Sequence, residues 1–193
     1  MKLTPQMLVS AYSQGYFPMA DDRFSDTILW HSPDPRAIFP LNNIHIPRTV
    51  RQLFNKQKYT FKINTAFLNV LMNCADRDLT WINDKIIYAY TELHHLGFAH
   101  SVEAWNGNKL AGGLYGVHVG GAFFGESMFG TESGVAKLCF YYLCYVLLKN
   151  NFLLLDSQYG NDFTYSLGAI DVPKEDYDKL LEPALNMECK FKI

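Results

Sequence analysis

The sequence predicts an α+β fold: a helix-rich N-terminal part, then a run of antiparallel strands, a helix and a further strand. Two observations carry that prediction. Up to about residue 96, stretches with apolar residues at helical spacing recur between turn residues, whereas from His100 to Met128 apolar and polar residues alternate. Within the alternating stretch, Asn106-Gly107-Asn108 and Gly120-Gly121 are hairpin signals that cut it into three strands. The 193 residues, 49% of them hydrophobic, suffice for one domain or a large domain with a small lobe.

Taken in order, Thr4-Pro5 opens a first helix, with Thr as cap and Pro at the first helical position, running through Leu8 and Tyr12 to end near Gly15. Residues 17–40 hold Pro18, Pro33, Pro35 and Pro40 and are expected to be mostly irregular, with short extended pieces at Ile28–Trp30 and Ala37–Phe39. A second short helix spans 47–55 and a strand spans Thr60 to Ile63. Asn64 is expected to cap a helix carrying Phe67, Val70 and Leu71. Asn83 caps a longer one, stopped by Gly97 where a left-handed residue is wanted. The three strands follow at His100–Trp105, Lys109–Val119 and Ala122–Met128. After them come a helix from about Glu132 to Lys149, a buried strand Phe152–Asp156, a short helix at Asp162–Ser166 and a last helix opened by Pro173. That order is the order of a GNAT-like acyltransferase core. The expected division is a small α-rich N-terminal domain over 1–60 and a GNAT-like domain over 61–193, with a boundary as late as about 96.

Composition narrows the function. Charged residues make up 19% and aromatics 15%, which suits deep cores or pockets that clamp flat or apolar ligands. With a formal net charge of −2, any contact with RNA should be local rather than a long phosphate footprint. Cys74, Cys139, Cys144 and Cys189 form no C-x-x-C pair and read as buried thiols in a reducing compartment. The opening MKLTPQMLVSAY lacks the regions of a signal peptide, and no apolar run reaches the roughly 18 residues of a membrane span. The expected location is the cytoplasm, with no membrane partner.

Two polar clusters stand in apolar surroundings. Gly125-Glu126-Ser127-Met128 puts a carboxylate in a strand, pointing either into a pocket or at backbone amides that satisfy it. Asp156-Ser157-Gln158 ends the apolar run from Phe152 to Leu155; Asp156 and Gln158 would share one face of an extended strand, although Asp is also a common turn initiator. Trp81, just before a helix cap, is the tryptophan best placed to be exposed and to stack on a base. His94 and His95 are adjacent and would point apart on a helix, and no H-E-x-x-H spacing occurs, so no metal site is expected. A phosphate-binding G-x-x-x-x-G-K-[ST] loop, a G-x-G-x-x-G turn and a G-x-S-x-G elbow are all missing.

Ala11-Tyr12 followed by Gly15-Tyr16-Phe17-Pro18, then Trp30 to Arg36, Thr80-Trp81-Ile82, Ala99 to Glu103, Leu110 to Gly116, Phe124 to Phe129, Asp156 to Gln158 and Ser166 to Ala169 form an ordered series over nearly the whole chain. The series resembles the leucyl/phenylalanyl-tRNA–protein transferases. The resemblance implies transfer of Leu or Phe (also Met) from the 3′ end of aminoacyl-tRNA to proteins with N-terminal Arg or Lys, marking them for degradation, with no cofactor. By position it assigns Asp156 and Gln158 to the peptide-bond-forming step and Glu126 to a pocket carboxylate beside them. It assigns Trp81 to the terminal adenosine, and Leu114, Phe123, Met128, Phe140 and Leu143 to the apolar acyl pocket, with Tyr12 also in the substrate-binding set. Met19 stands where the family often has a Trp completing the adenine clamp. Arg48, Arg51 and Lys56 remain of a basic cluster for the tRNA backbone. Phe163 replaces a common His, and Ala136-Lys137 a common Ser-Lys. The sequence is also expected to lack the family's usual opening stretch ahead of the first helix.

In the mechanism this implies, Gln158 positions the amine or the ester carbonyl, Asp156 orients Gln158 and relays a proton, and Glu126 holds the substrate's ammonium or hydroxyl groups. Two other readings compete. One is an acetyl-CoA-dependent N-acetyltransferase, although Thr131 to Ala136 keeps only part of that superfamily's pyrophosphate loop. The other is a non-catalytic module that binds the tRNA end or a peptide.

Overall fold

The computed structural model describes residues 3–193. Helix α1 (Pro5–Tyr12) is capped by the Thr4 side chain, and Leu8 and Tyr12 face the core. Strands β1 (Phe17–Ala20) and β2 (Ile28–His31) form a small antiparallel ribbon. Strand β3 (Arg36–Phe39) is wholly buried. A short 3-10 turn (Leu41–Asn43) leads to α2 (Arg48–Asn55) and β4 (Thr60–Ile63). Then come α3 (Phe67–Ala75), α4 (Asp84–His95), and the meander β5 (Ala99–Asn106), β6 (Lys109–Val119) and β7 (Ala122–Gly130). Helix α5 (Val135–Lys149), β8 (Leu154–Gln158), α6 (Asp162–Ser166), β9 (Ile170–Val172) and α7 (Lys174–Leu185) complete the chain order.

The main sheet has seven strands in the order β4-β5-β6-β7-β8-β3-β9. Every neighbouring pair is antiparallel except β7 and β8, which run parallel because α5 carries the chain from one to the other. One face packs on α1, α3, α4 and α7 residues such as Leu8, Leu71, Ala89 and Tyr177; the other packs on α5 through Leu138, Phe140 and Leu147. The two layers explain the near-continuous apolar character of α5, which is buried on most of its circumference.

Parallel pairing of β7 with β8 ends at Phe124 opposite Asp156, although both strands continue. Each strand carries a bulge just beyond that pair. Tyr115 pairs with Ser127 and Gly116 with Gly125, leaving Glu126 as the extra residue of β7. Ile38 pairs with Asp156 and Ala37 with Gln158, leaving Ser157 as the extra residue of β8, and Gln158 has a φ of 66°. A bulge bends and re-aims its strand, so the two strands part and a slot opens between them.

The extended pieces expected within 17–40, at Ile28–Trp30 and Ala37–Phe39, are β2 and β3, and the segment adds a strand the sequence does not predict, β1. Phe17-Pro18 tolerates strand geometry because β1 lies in a two-stranded ribbon, where a proline costs no central ladder bond. Asn64 does not cap α3. It takes a φ of 58°, and its side chain bridges to Ser101 N–H and His100, while the α3 cap position is Ala66 with no side-chain bond. Glu103 instead holds the chain just ahead of the helix, accepting from Thr65 and Ala66 N–H at 2.8 Å each. Helix α5 starts at Val135 rather than Glu132, because Gly134 takes a left-handed φ of 84°. Strand β9, unread from the sequence, is three residues long, too short for an alternation signal. Strand β3, on the N-terminal side of the expected division at residue 60, lies inside the main sheet.

Candidate active site

The slot between β7 and β8 deepens into a cavity of about 800 Å³. Its apolar part is formed by Phe39, Leu114, Met128, Phe140, Leu143 and Leu155, and its polar part includes Glu126, Ser127, Asp156 and Ser157. Trp81 stands on the wall, partly buried, held by a hydrogen bond from Ala20 N–H to its carbonyl. A volume of this size with convergent polar groups in an apolar surround is the usual form of a small-molecule site.

Glu126 accepts three side-chain hydrogen bonds at the polar end of the cavity. Its Oε1 accepts from Tyr12 Oη at 2.6 Å and from Gln158 Nε2 at 2.7 Å, and its Oε2 from Tyr90 Oη at 3.3 Å. The Tyr12 and Tyr90 hydroxyls also touch each other. Glu126 keeps some solvent access through the cavity, yet protein atoms surround the carboxyl group on most sides. Burial therefore pushes its pKa up to about 7, against the three hydrogen bonds that favour the carboxylate. Burial and the neighbouring Glu126 charge likewise raise both tyrosines well above the ordinary phenol value, so they remain donors.

Asp156 has a different environment. Its Oδ1 accepts from Arg36 Nε at 3.0 Å and from Gln158 N–H at 2.7 Å, and its Oδ2 from Arg36 Nη2 at 2.8 Å and Tyr177 Oη at 2.6 Å. Asp156 is 0% and Arg36 1% exposed, so this is a fully buried ion pair. Arg36 is itself sandwiched between the rings of Phe17 and Tyr177, with its Nη1 donating to the Gly15 carbonyl at 2.8 Å. Burial, the largest single influence, would lower the arginine's pKa; the Asp156 charge and hydrogen bonds, with Tyr177 and Tyr12, together outweigh it and leave it raised. Asp156 and Gln158 thus do not share one set of contacts, as an unbroken strand would give them. The bulge sends Asp156 to Arg36 and Tyr177, and Gln158 to Glu126.

Of the residues singled out from sequence, Glu126, Asp156, Trp81, Leu114, Met128, Phe140 and Leu143 line the cavity, while Gln158 and Tyr12 meet it through Glu126. Phe123 lies behind it, fully buried and stacked on Phe191 at 5.4 Å. Met19 packs on the core one residue before the Ala20 bond to Trp81 and does not line the cavity. Arg48, Arg51 and Lys56 are exposed on and after α2. Lys56 and Lys137 share a shallow hollow with Ser133 and Gly134, at the start of α5, whose first two turns bear the cavity residues Ala136 and Phe140. Arg36, Tyr90, Tyr115 and Tyr177 were missed. Arg36 had a signal: an arginine opening the otherwise apolar buried run Ala37-Ile38-Phe39 must find a buried anion. Among the described residues no group of three or more His, Cys, Asp or Glu could hold a metal, and no helix is long and apolar enough to cross a membrane.

A family model described as leucyl/phenylalanyl-tRNA protein transferase matches residues 38–182, and one described as the N-terminal domain of these proteins matches 1–34. The chain belongs to the leucyl/phenylalanyl-tRNA–protein transferase family. Relatives with that name include proteins of Gloeobacter violaceus (41% identical, 98% of each chain) and Salinibacter ruber (44%, 96% of this chain and 81% of that one). A third, from Ruegeria pomeroyi, is 42% identical over 99% of this chain and 91% of its own. Among solved structures, L-PGS from Bacillus licheniformis shares 14% identity at a TM-score of 0.44, over 79% of this chain and 50% of that one. The transferase family thus accounts for both the ribbon-and-helix N-terminal part and the sheet that bears the cavity.

Proposed function

We propose that the protein transfers Leu or Phe, and Met less readily, from the 3′ end of aminoacyl-tRNA to the N-terminal amine of proteins beginning with Arg or Lys. The observation that carries this reading is a single cavity that joins an apolar acyl-sized end to the Glu126 carboxyl, held there by Tyr12, Tyr90 and Gln158. The family membership supports the donor and the transfer; the acceptor's first residue, the cytoplasmic setting and the marking of the product for degradation belong to the proposal. The splay of parallel β7 and β8 behind an antiparallel meander, with α5 between them in sequence, supports a GNAT-like reading of the core.

The donor's side chain occupies the end formed by Leu114, Met128, Phe140 and Leu143, its terminal adenine lies on Trp81, and the acceptor stem runs toward Lys56, Arg48 and Arg51. Such an apolar end separates substrates by only about 1–3 kcal/mol per methylene, so acceptance is graded. The donor ester is already activated, and the reaction calls for no metal or cofactor. An α-amine has a pKa of about 8, so a useful fraction is neutral near pH 7. The amine nitrogen bonds to the ester carbonyl carbon, the bond to the ribose oxygen breaks, and that oxygen leaves with a proton. Glu126, ionised above about pH 7, takes the proton from the attacking amine and returns it to the leaving oxygen. Gln158 holds Glu126 in place. Asp156, whose two oxygens are already engaged, serves as a positioning residue through the Gln158 N–H rather than as the proton relay.

The test is transfer of labelled Phe from charged tRNA to a peptide beginning with Arg, against one beginning with Ala. Arg-selective labelling that is lost in Gln158→Ala supports the reading. Tight binding of charged tRNA without any labelling would replace it with a non-catalytic binding role.

A further inference from the structure

The cavity does not end at the reacting groups. Past β8 its wall continues through Tyr159, Asn161, Phe163 and Thr164, on the turn into α6 and on that helix. The polar side chains of this stretch are already committed. Asn161 Oδ1 accepts from Thr164 N–H at 3.0 Å, and Asn161 N–H donates to Thr164 Oγ1 at 2.9 Å. That reciprocal cap fixes the turn on which Phe163 stands. Tyr159 Oη meets His31 Nδ1 at 3.0 Å. The Phe163 ring is left over: it is 41% exposed, so aromatic surface stays open on the cavity wall.

A cation stands at the same ring. Lys137 Nζ lies 5.6 Å from the Phe163 centroid. Lys137 is half-buried, and no hydrogen bond or ion pair engages its ammonium among the described residues. It belongs to the neighbouring hollow with Lys56, Ser133 and Gly134, not to the cavity wall. Ring and cation therefore mark the place where cavity and hollow meet, and an occupant leaving the cavity there passes from aromatic surface to positive charge. Rings for bases followed by cations for phosphates is the pattern of a site for single-stranded nucleic acid. The chain as a whole carries a formal charge of −2, so the pair Lys137 and Lys56 is a local feature rather than part of a general basic surface. A cationic acceptor would be repelled by both lysines, which places the ring on the donor's side of the cavity.

We propose that Phe163 and Lys137 form a second nucleotide subsite, in which the base preceding the terminal adenosine stacks on the Phe163 ring and a phosphate flanking that base meets Lys137. The assignment rests on the transferase reading above, in which the terminal adenine lies on Trp81.

The experiment compares two minimal donors in Phe transfer to an Arg-initiated peptide: the phenylalanyl ester of adenosine, and that of 5′-phosphorylated cytidylyl-adenosine. Wild type should use the dinucleotide with a kcat/KM about tenfold higher, chiefly through donor KM. Phe163→Leu keeps apolar bulk without a π-face and should cut that ratio to near unity, whereas Phe163→Tyr should retain it. Lys137→Gln should lower the ratio severalfold and weaken its dependence on salt. The subsite is overturned, with the transferase standing, if wild type uses the two donors equally. It is also overturned if Phe163→Leu keeps the wild-type ratio, because a ring that serves only packing or the terminal adenosine affects both donors alike. If wild type transfers from neither ester nor from charged tRNA, the transferase reading falls and the subsite with it.

Discussion

Arg36 sits where three stretches of chain meet: the α1–β1 junction through the Gly15 carbonyl, β8 through Asp156, and α7 through Tyr177. Removing one member of a buried ion pair leaves an uncompensated charge and costs about 3–5 kcal/mol, whereas replacing both by apolar groups is often neutral. Arg36→Met should therefore destabilise by that amount in urea unfolding. Arg36→Met with Asp156→Leu should recover most of the loss yet remain inactive, because Gln158 N–H then has no acceptor. Full recovery of both stability and transfer in the double variant would show that Asp156 does not position Gln158. The residue scale was only half legible in the sequence. Glu126 and Asp156 announced themselves as carboxylates in apolar runs. What each one binds was hidden, because two bulges decide it and a bulge leaves no periodic signal.

Among the elements, β5 and the C-terminal segment set how the fold responds to acid. His100 on β5 is buried, its Nε2 meets His118 Nδ1 at 2.8 Å, its Nδ1 meets the Asn64 amide at 3.0 Å, and Phe191 stacks on it at 4.5 Å. Burial first, then the neighbouring His118 and His94, depress its pKa to about 3, against a backbone contact with Gly97 that opposes the shift. An unfolded histidine titrates at about 6.5. The folded pKa is the lower one, so this stability is fully present above about pH 6.5 and is lost as pH falls toward 3. Between pH 7 and 5 the loss should be about 2 kcal/mol, and His100→Gln should remove much of that slope in urea titrations at the two pH values. An identical slope in the variant would place the acid sensitivity elsewhere. At this scale the sequence was informative wherever a cap or a turn residue stood alone. Thr4, Asn83 and the two glycine hairpins lie where expected. It failed at Asn64, which looks like a cap but spends its side chain on β5, and at Phe17–Ala20, where Pro18 masked a strand that β2 holds.

Across the whole molecule, the order of elements was readable because each meander strand is followed closely by its partner. The place of β3 was not: it enters the sheet between β8 and β9, more than 100 residues away, and no local pattern records such pairing. That long-range closure brings Arg36 to Asp156 and so fixes one wall of the slot. The apolar end and the carboxyl end are then set by α5 on one side of the sheet and the tyrosines of α1 and α4 on the other.

The central claim is that Glu126 moves the proton in an aminoacyl transfer inside this cavity. The most direct measurement is the single-turnover rate of Phe transfer from charged tRNA to an Arg-initiated peptide between pH 5.5 and 8.5, approximated by steps of about half a unit, for wild type and Glu126→Gln. With its pKa at about 7, Glu126 must ionise before it can accept a proton, so the wild-type rate should rise through that value. Glu126→Gln should fall roughly hundredfold or more and lose that inflection. A variant that keeps the wild-type rate and the same rise with pH would contradict the account.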